Sequence, residues 1–187
     1  MNPTDTDIRW KQQPFLRLSP EELEAYSKEW AFLILLFTPP QSGTSLEEHL
    51  LNQMKWTLQS TRIVESMNPV ESIQQDGQFL SFLFTSPNHA LEAALKLSQF
   101  LQDTFRIGAG YGDGYMFDYY QSIDLLRMKS VLPHGNTSEI QVSPSLYKKT
   151  QTPDGVGAFQ CSPALAQNTG MKYWILKDYR PCLGSSC

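Results

Sequence analysis

Basic charge is scarce in this chain. Its 15 Lys and Arg residues stand against 19 Asp and Glu, a formal charge of −4. Without a basic stripe to follow a phosphate backbone, nucleic acid is not an expected partner. Long apolar runs are missing too. The longest, Ala31 to Phe37, falls far short of the roughly 20 residues that span a bilayer. The first residues are polar and acidic, with no apolar signal core. Cysteine is sparse: Cys161, Cys182 and Cys187 show no metal-ligand spacing. We expect a reduced, cytoplasmic chain, with a Cys182–Cys187 disulfide as the alternative. Cys187 is the last residue, so the tail is no prenylation box. Only His49, His89 and His134 supply imidazoles, at unrelated spacings. They read as surface or helix-start residues. Gly-Lys-Ser/Thr is absent, which removes a Walker loop.

Glycine, by contrast, is concentrated. Gly108, Gly110, Gly112 and Gly114 alternate after Phe105-Arg-Ile107. A dinucleotide loop needs Gly-x-Gly-x-x-Gly, and the last position falls on Asp113 or Tyr115, so that pattern fails. Glycine at every second place strips one face of a strand and lets a ligand or another strand come close. Strand packing or a dimer contact would suffice, with no ligand.

Local signals order the chain as one domain with a little left over. Residues 1–29 read as an N-terminal arm and helix, 30–180 as the main domain and 181–187 as a flexible tail. Trp10, Phe15 and Leu16 suit an arm that packs on the domain. Ser19-Pro-Glu-Glu22 is a capping box, opening a helix to about Glu29. Ala31–Phe37 reads as a strand buried on both faces. Ser45, with Glu48 three places on, caps a second helix whose apolar stripe is Leu46, Leu50, Leu51, Met54 and Leu58. Arg62 to Ile73 reads as a strand interrupted near Asn68-Pro69, and Gln75-Asp-Gly-Gln78 as a hairpin turn into a strand over Phe79–Phe84. A helix after Ser86-Pro87 buries Ala90, Leu91, Ala94, Leu95, Leu97 and Leu101. Phe105–Tyr111 is a strand, Tyr119 to about Ser130 a helix, and Glu139–Ser143 a short strand. Pro144–Lys149 is a helical turn, and Val156–Cys161 with Lys172–Leu176 a closing pair. The order β-α-β-β-α-β predicts an α+β fold, a ferredoxin-like antiparallel sheet with helices on one face.

That order, with its particular sequence segments, resembles the catalytic domain of class III nucleotide cyclases over about Ala31 to Leu176. Leu36-Phe-Thr-Pro-Pro-Gln-Ser-Gly-Thr-Ser-Leu46 lines up with the family's first strand and loop, and Gln75-Asp76-Gly77 with its Gly-Asp-Gly hairpin. Arg106-Ile-Gly-Ala-Gly-Tyr-Gly-Asp-Gly114 matches Arg-Ile-Gly-Ile-His-Thr-Gly-Glu-Val. Asp118-Tyr-Tyr-Gln121 matches Asp-Tyr-Phe-Gly, and Ser138-Glu-Ile-Gln-Val-Ser143 matches Gly-Glu-Ile-Leu-Val-Ser. The resemblance implies a head-to-tail dimer with sites at the subunit boundary. It also implies two metals, held by two aspartates, that activate a ribose hydroxyl.

The departures fall on that chemistry. Pro39 stands at the first metal aspartate and has no ligand atom; Asp76 stands at the second. Ser72 and Ile73 occupy the place of the base-reading lysine, while Asp118 keeps the second base-reading position. Asp124 stands at the transition-state asparagine, and Met128 at the phosphate-binding arginine, with Arg127 adjacent. Each residue also has a plain reading: Asp76 as a hairpin residue, Asp118 as a helix cap, Asp124 on a solvated helix face. We expect a catalytically inactive, cyclase-like regulatory or dimerisation module in signalling, pairing with itself or with another cyclase-like domain. No bound cofactor is expected. The alternatives are a nucleotide site with Mg²⁺ or Mn²⁺ but no turnover, using Asp76, Asp118, Asp124 and Arg127; a weak cyclase; and a small-molecule sensor on the same sheet.

Overall fold

The structure, a computed structural model, describes residues 19–38, 43, 45–67, 69, 74–76, 78–100, 105–116, 120–137, 139–150, 159–165 and 170–179. Its organising strand is β1, Ser27–Phe37. Ala31, Leu33, Leu35 and Phe37 join one apolar cluster, and Trp30, Phe32, Ile34 and Leu36 join another on the opposite face. The unbroken apolar run follows, because a strand covered on both sides has no solvated face to alternate with.

The remaining strands are β2 (Gln74–Asp76), β3 (Phe79–Phe84), β4 (Phe105–Met116), β5 (Tyr120–Ser122), β6 (Ile140–Val142), β7 (Phe159–Leu165) and β8 (Lys172–Tyr179). The helices are α1 (Pro20–Glu24), α2 (Leu46–Glu65), α3 (Pro87–Phe100), α4 (Ile123–Val131) and α5 (Pro144–Thr150). The sheet runs β2-β3-β1-β4-β6-β8-β7, and short β5 pairs with β4. The expected α+β, βαββαβ core is present, and the closing pair is β7–β8. The sheet is not wholly antiparallel, since β6 lies parallel to β4, with Ile107 opposite Ile140. Nor do all helices share a face. α2, α3 and α5 bury Val64, Leu91, Leu97 and Leu146 on one side, while α4 places Leu125 and Met128 on the other.

Local chemistry fixed several boundaries. Ser19 and Glu22 exchange both capping-box bonds at the start of α1, and Ser45 and Glu48 do so at α2. α1 stops at Glu24, short of the expected Glu29. β4 runs on to Met116 and offers ladder partners to Ser27–Trp30, and so short a helix gains little by extending. Arg62–Glu65 is helix, not strand, because Ile63 and Val64 continue the inward spacing of Trp56 and Ser60. The expected stripe of α2 is also inverted. His49, Gln53, Trp56, Thr57 and Ser60 face inward, and Leu46, Leu50, Leu51, Met54 and Leu58 face solvent. α3 buries Ala90, Leu91, Ala93, Ala94 and Leu97; Leu101 lies outside the described residues, as do the arm, the tail and Cys182 and Cys187.

The glycines of β4 sit opposite the large residues of β1: Ile34 beside Gly108, Phe32 beside Gly110, Trp30 beside Gly112. A β-carbon on Gly110 would collide with the tip of the Phe32 ring. On the other face, Tyr111 donates its hydroxyl to Glu29 Oε2 at 2.6 Å. Lys149 of α5 lies 3.3 Å from Glu29 Oε1, with its Nζ 4.7 Å from the Tyr111 ring centre. The Tyr111 hydroxyl is the main cause that holds the Glu29 carboxyl below its ordinary value. Burial, and then Glu29, pushes the Tyr111 phenol up.

Gly110→Ala is expected to lose about 1–3 kcal/mol in urea unfolding, since Phe32 has to move to admit the methyl group. The Glu29 pin has a pH signature. Its folded pKa is lowered, so its contribution is present above the ordinary 4.5 and fades as pH falls through the lowered value. The stability gap between the natural chain and Tyr111→Phe should therefore be steady near neutrality and close in acid, as urea midpoints between about pH 3 and pH 7 would show.

Candidate functional site

α4 begins where Ser122 accepts the Leu125 amide at 3.0 Å. The expected start at Tyr119, capped by Asp118, is therefore displaced, because Ser122 satisfies the helix end and Tyr120–Ser122 pair with β4. Asp118 itself lies outside the described residues. From this start the helix lays Asp124 over Gly112 and Met128 over Gly108. A β-carbon on Gly112 would come within 2.6 Å of Asp124 Oδ2, and one on Gly108 within 2.8 Å of the Met128 thioether.

Asp124 is no solvated bystander. Ser145 Oγ donates to its Oδ2 at 3.3 Å, and Arg127 Nη1 stands 3.7 Å from Oδ1. Ser145 also shares a 3.0 Å hydrogen bond with Ser143. Ser143 Oγ accepts the Tyr111 amide of β4 at 3.3 Å and caps α5 through the Leu146 amide at 3.2 Å. Backbone, two hydroxyls and a carboxylate thus tie β4, α5 and α4 together. The Asp124–Arg127 pair is one helix turn of partly exposed charge, worth about 0.5 kcal/mol or less.

Beside this relay opens a cavity of about 550 Å³, a volume suited to a small ligand. Asp124, Arg127 and Met128 form one wall, Ser143, Ser145 and Lys148 another, and Met171, Lys172 and Tyr173 a third. Among the described residues that line it, the cations are Arg127, Lys148 and Lys172 and the acid is Asp124. Burial, and then the Glu139 carboxylate, pushes the Tyr173 phenol up, so it stays a neutral hydrogen-bonding group. Met128 is 3% exposed and belongs to the apolar cluster under α4. Gln141, fully buried on this same face between β4 and β8, rests its amide against Gly135.

Asp124 and Arg127 are brought together; Asp76 is not among them. It ends β2, three strand spacings from β4, or about 14 Å. Pro39, Ser72 and Ile73 lie outside the described residues. Among the described residues no group of three or more His, Cys, Asp or Glu side chains is placed to hold a metal. Lys148, Lys172 and Tyr173 were missed from the sequence. No local motif marks them; they meet Arg127 only because β6 lies parallel to β4 and brings β8 alongside.

No family model matches the chain, and no curated protein matches it. Solved structures do. The guanylate cyclase domain of RhGC from Catenaria anguillulae, in complex with GTP, matches with a TM-score of 0.67 at 14% identity, over 82% of this chain and 98% of that one. A dimeric guanylyl cyclase domain of the RhoGC fusion protein from the aquatic fungus Blastocladiella emersonii matches at 0.64 and 14%, over 81% and 99%. The adenylyl cyclase CyaB from P. aeruginosa matches at 0.60 and 10%, over 84% and 99%. The chain has the fold of class III nucleotide cyclase catalytic domains. No described helix is long and apolar enough to cross a membrane.

The packing separates two substitutions in α4. Met128→Arg puts an unpaired charge under α4 and should cost about 3 kcal/mol or more in urea unfolding. Asp124→Asn keeps the shape and loses only a weak ion pair, so its change should stay within about 1 kcal/mol.

Proposed function

We propose that this domain has the cyclase fold without the cyclase reaction and serves as a regulatory or dimerising module. Met128 is the observation that carries this. The resemblance read from the sequence implies a phosphate-binding arginine here, and the thioether present instead is sealed against Gly108 beneath α4. A buried thioether offers no charge to a transferring phosphoryl group, and loss of such a group costs several kcal/mol of barrier. Two further departures point the same way. Pro39, at a metal aspartate's place, has no ligand atom, and Asp76 alone falls short of the two carboxylates that two-metal chemistry uses. Asp124, at the asparagine's place, turns negative charge toward the cavity. The residues present do not fit the metal pair. Asp76 and Asp124 are too far apart to meet in one chain, so a site joining them needs the head-to-tail pairing that the resemblance implies.

The cavity favours a second reading: binding of an anionic nucleotide without turnover. Arg127, Lys148 and Lys172 supply the attraction, and Asp118, at a base-reading place in the sequence, would read the base.

One experiment addresses both. The chain is incubated with ATP or GTP and Mg²⁺ or Mn²⁺, and cyclic nucleotide is measured beside the melting temperature. No product above a protein-free blank is expected, and a cyclic product would overturn the proposal. A melting shift that disappears in Arg127→Ala/Lys172→Ala supports the nucleotide site, since saturation at a hundred times Kd adds about 2.7 kcal/mol. Absence of any shift leaves the regulatory module alone.

A further inference from the structure

The face of the sheet opposite α4 presents a different surface. α2 turns its more apolar side outward. Leu46, Leu50, Met54 and Leu58 follow one another at intervals of four, with Leu51 beside them, and all are between 51% and 74% exposed. The inward side carries His49, Gln53, Thr57 and Ser60 beside Trp56, Ile63 and Val64. A helix that hides polar groups and shows leucines is arranged for two contacts, one with its own sheet and one beyond it. Contiguous apolar surface of this kind marks an association site.

Geometry and charge point to one occupant. Residues at intervals of four form a ridge, and two such ridges interdigitate when their helices cross at about −50°, the commonest helix pairing. An i, i+4 ridge is therefore complementary to a second copy of itself, as a two-fold interface requires. Charge sets the direction. Glu47 and Glu48 lie in the first turn, while Lys55 and Arg62 follow toward the other end. An antiparallel pair sets the acids of one copy against the bases of the other, and a parallel pair sets like against like. Glu65, at the last turn, lies beyond the ridge.

We propose that α2 is a homodimer contact in which two copies of the chain cross antiparallel, with Leu50 and Met54 at the two-fold axis. The contact is separate from the head-to-tail pairing implied by the cyclase resemblance. α2 packs on the opposite sheet face from α4, and its outward ridge includes none of the residues that line the Asp124 cavity.

Sedimentation of the full chain between about 1 and 100 µM tests the contact, since a dimer of micromolar affinity dissociates within that range. The natural chain should dimerise. Leu50→Glu/Met54→Glu should weaken dimerisation by at least about tenfold with an unchanged melting temperature in dilute solution. Ile123→Glu/Leu126→Glu, on the exposed side of α4, should remain dimeric. Glu47→Lys and Lys55→Glu should each weaken the dimer, and the two together should restore it, which a merely apolar association would not do. A monomer at every concentration would overturn the proposal. So would a dimer untouched by the α2 substitutions, or one lost only through those on α4. Dimerisation that appears only when residues 1–18 are removed would show the arm on the ridge, and would overturn it as well.

Discussion

β4 carries no side chain at Gly108, Gly110 or Gly112, and the α4 side of the sheet is built into the space this leaves. Phe32 of β1 lies across Gly110, Met128 of α4 presses on Gly108, and the Asp124 carboxylate rests over Gly112. The three contacts are one steric exchange repeated along a strand. Glycine withdraws, and an aromatic ring, a thioether and a carboxylate advance. Apolar burial supplies the energy, since Phe32, Ile34, Leu125 and Met128 are all removed from water in one cluster. Close packing then makes the arrangement intolerant, because no free volume is left to absorb an added methyl group.

The same exchange determines what the cavity can offer. α4 comes close enough to the sheet that Met128 is consumed by the core, while Arg127, one position before it, projects outward with its side chain 63% exposed. Charge therefore reaches the cavity from its rim, through Arg127, Lys148 and Lys172, and not from its floor. Asp124 is committed to Ser145 and Arg127. Its carboxylate is spent on holding α4 to α5.

Parts of this were legible in the sequence because their causes are local. The run Ala31–Phe37 named a strand covered on both faces, the boxes Ser19/Glu22 and Ser45/Glu48 named helix starts, and Asp76-Gly77 named the hairpin. The glycine alternation named a close approach, though not what approached. The errors share a physical reason as well. The most apolar side of α2 was taken as its buried side, but burial is assigned by where the sheet lies. Asp118 was read as the cap of α4, but Ser122 caps it, because Tyr120–Ser122 pair with β4 first. The parallel placement of β6 on β4, and with it the whole basic rim of the cavity, has no local signal at all.

β1 belongs to both apolar clusters, with Leu33 and Leu35 in one and Phe32 and Ile34 in the other. It is also hydrogen-bonded on both edges, to β3 and to β4. Neither layer can open while β1 holds, and neither can persist once it goes. The described residues share β1 between both clusters and should melt as one cooperative unit. Amide exchange in the middle of β1 should then follow global unfolding alone, while the three-residue strands β2 and β5 open by local fraying.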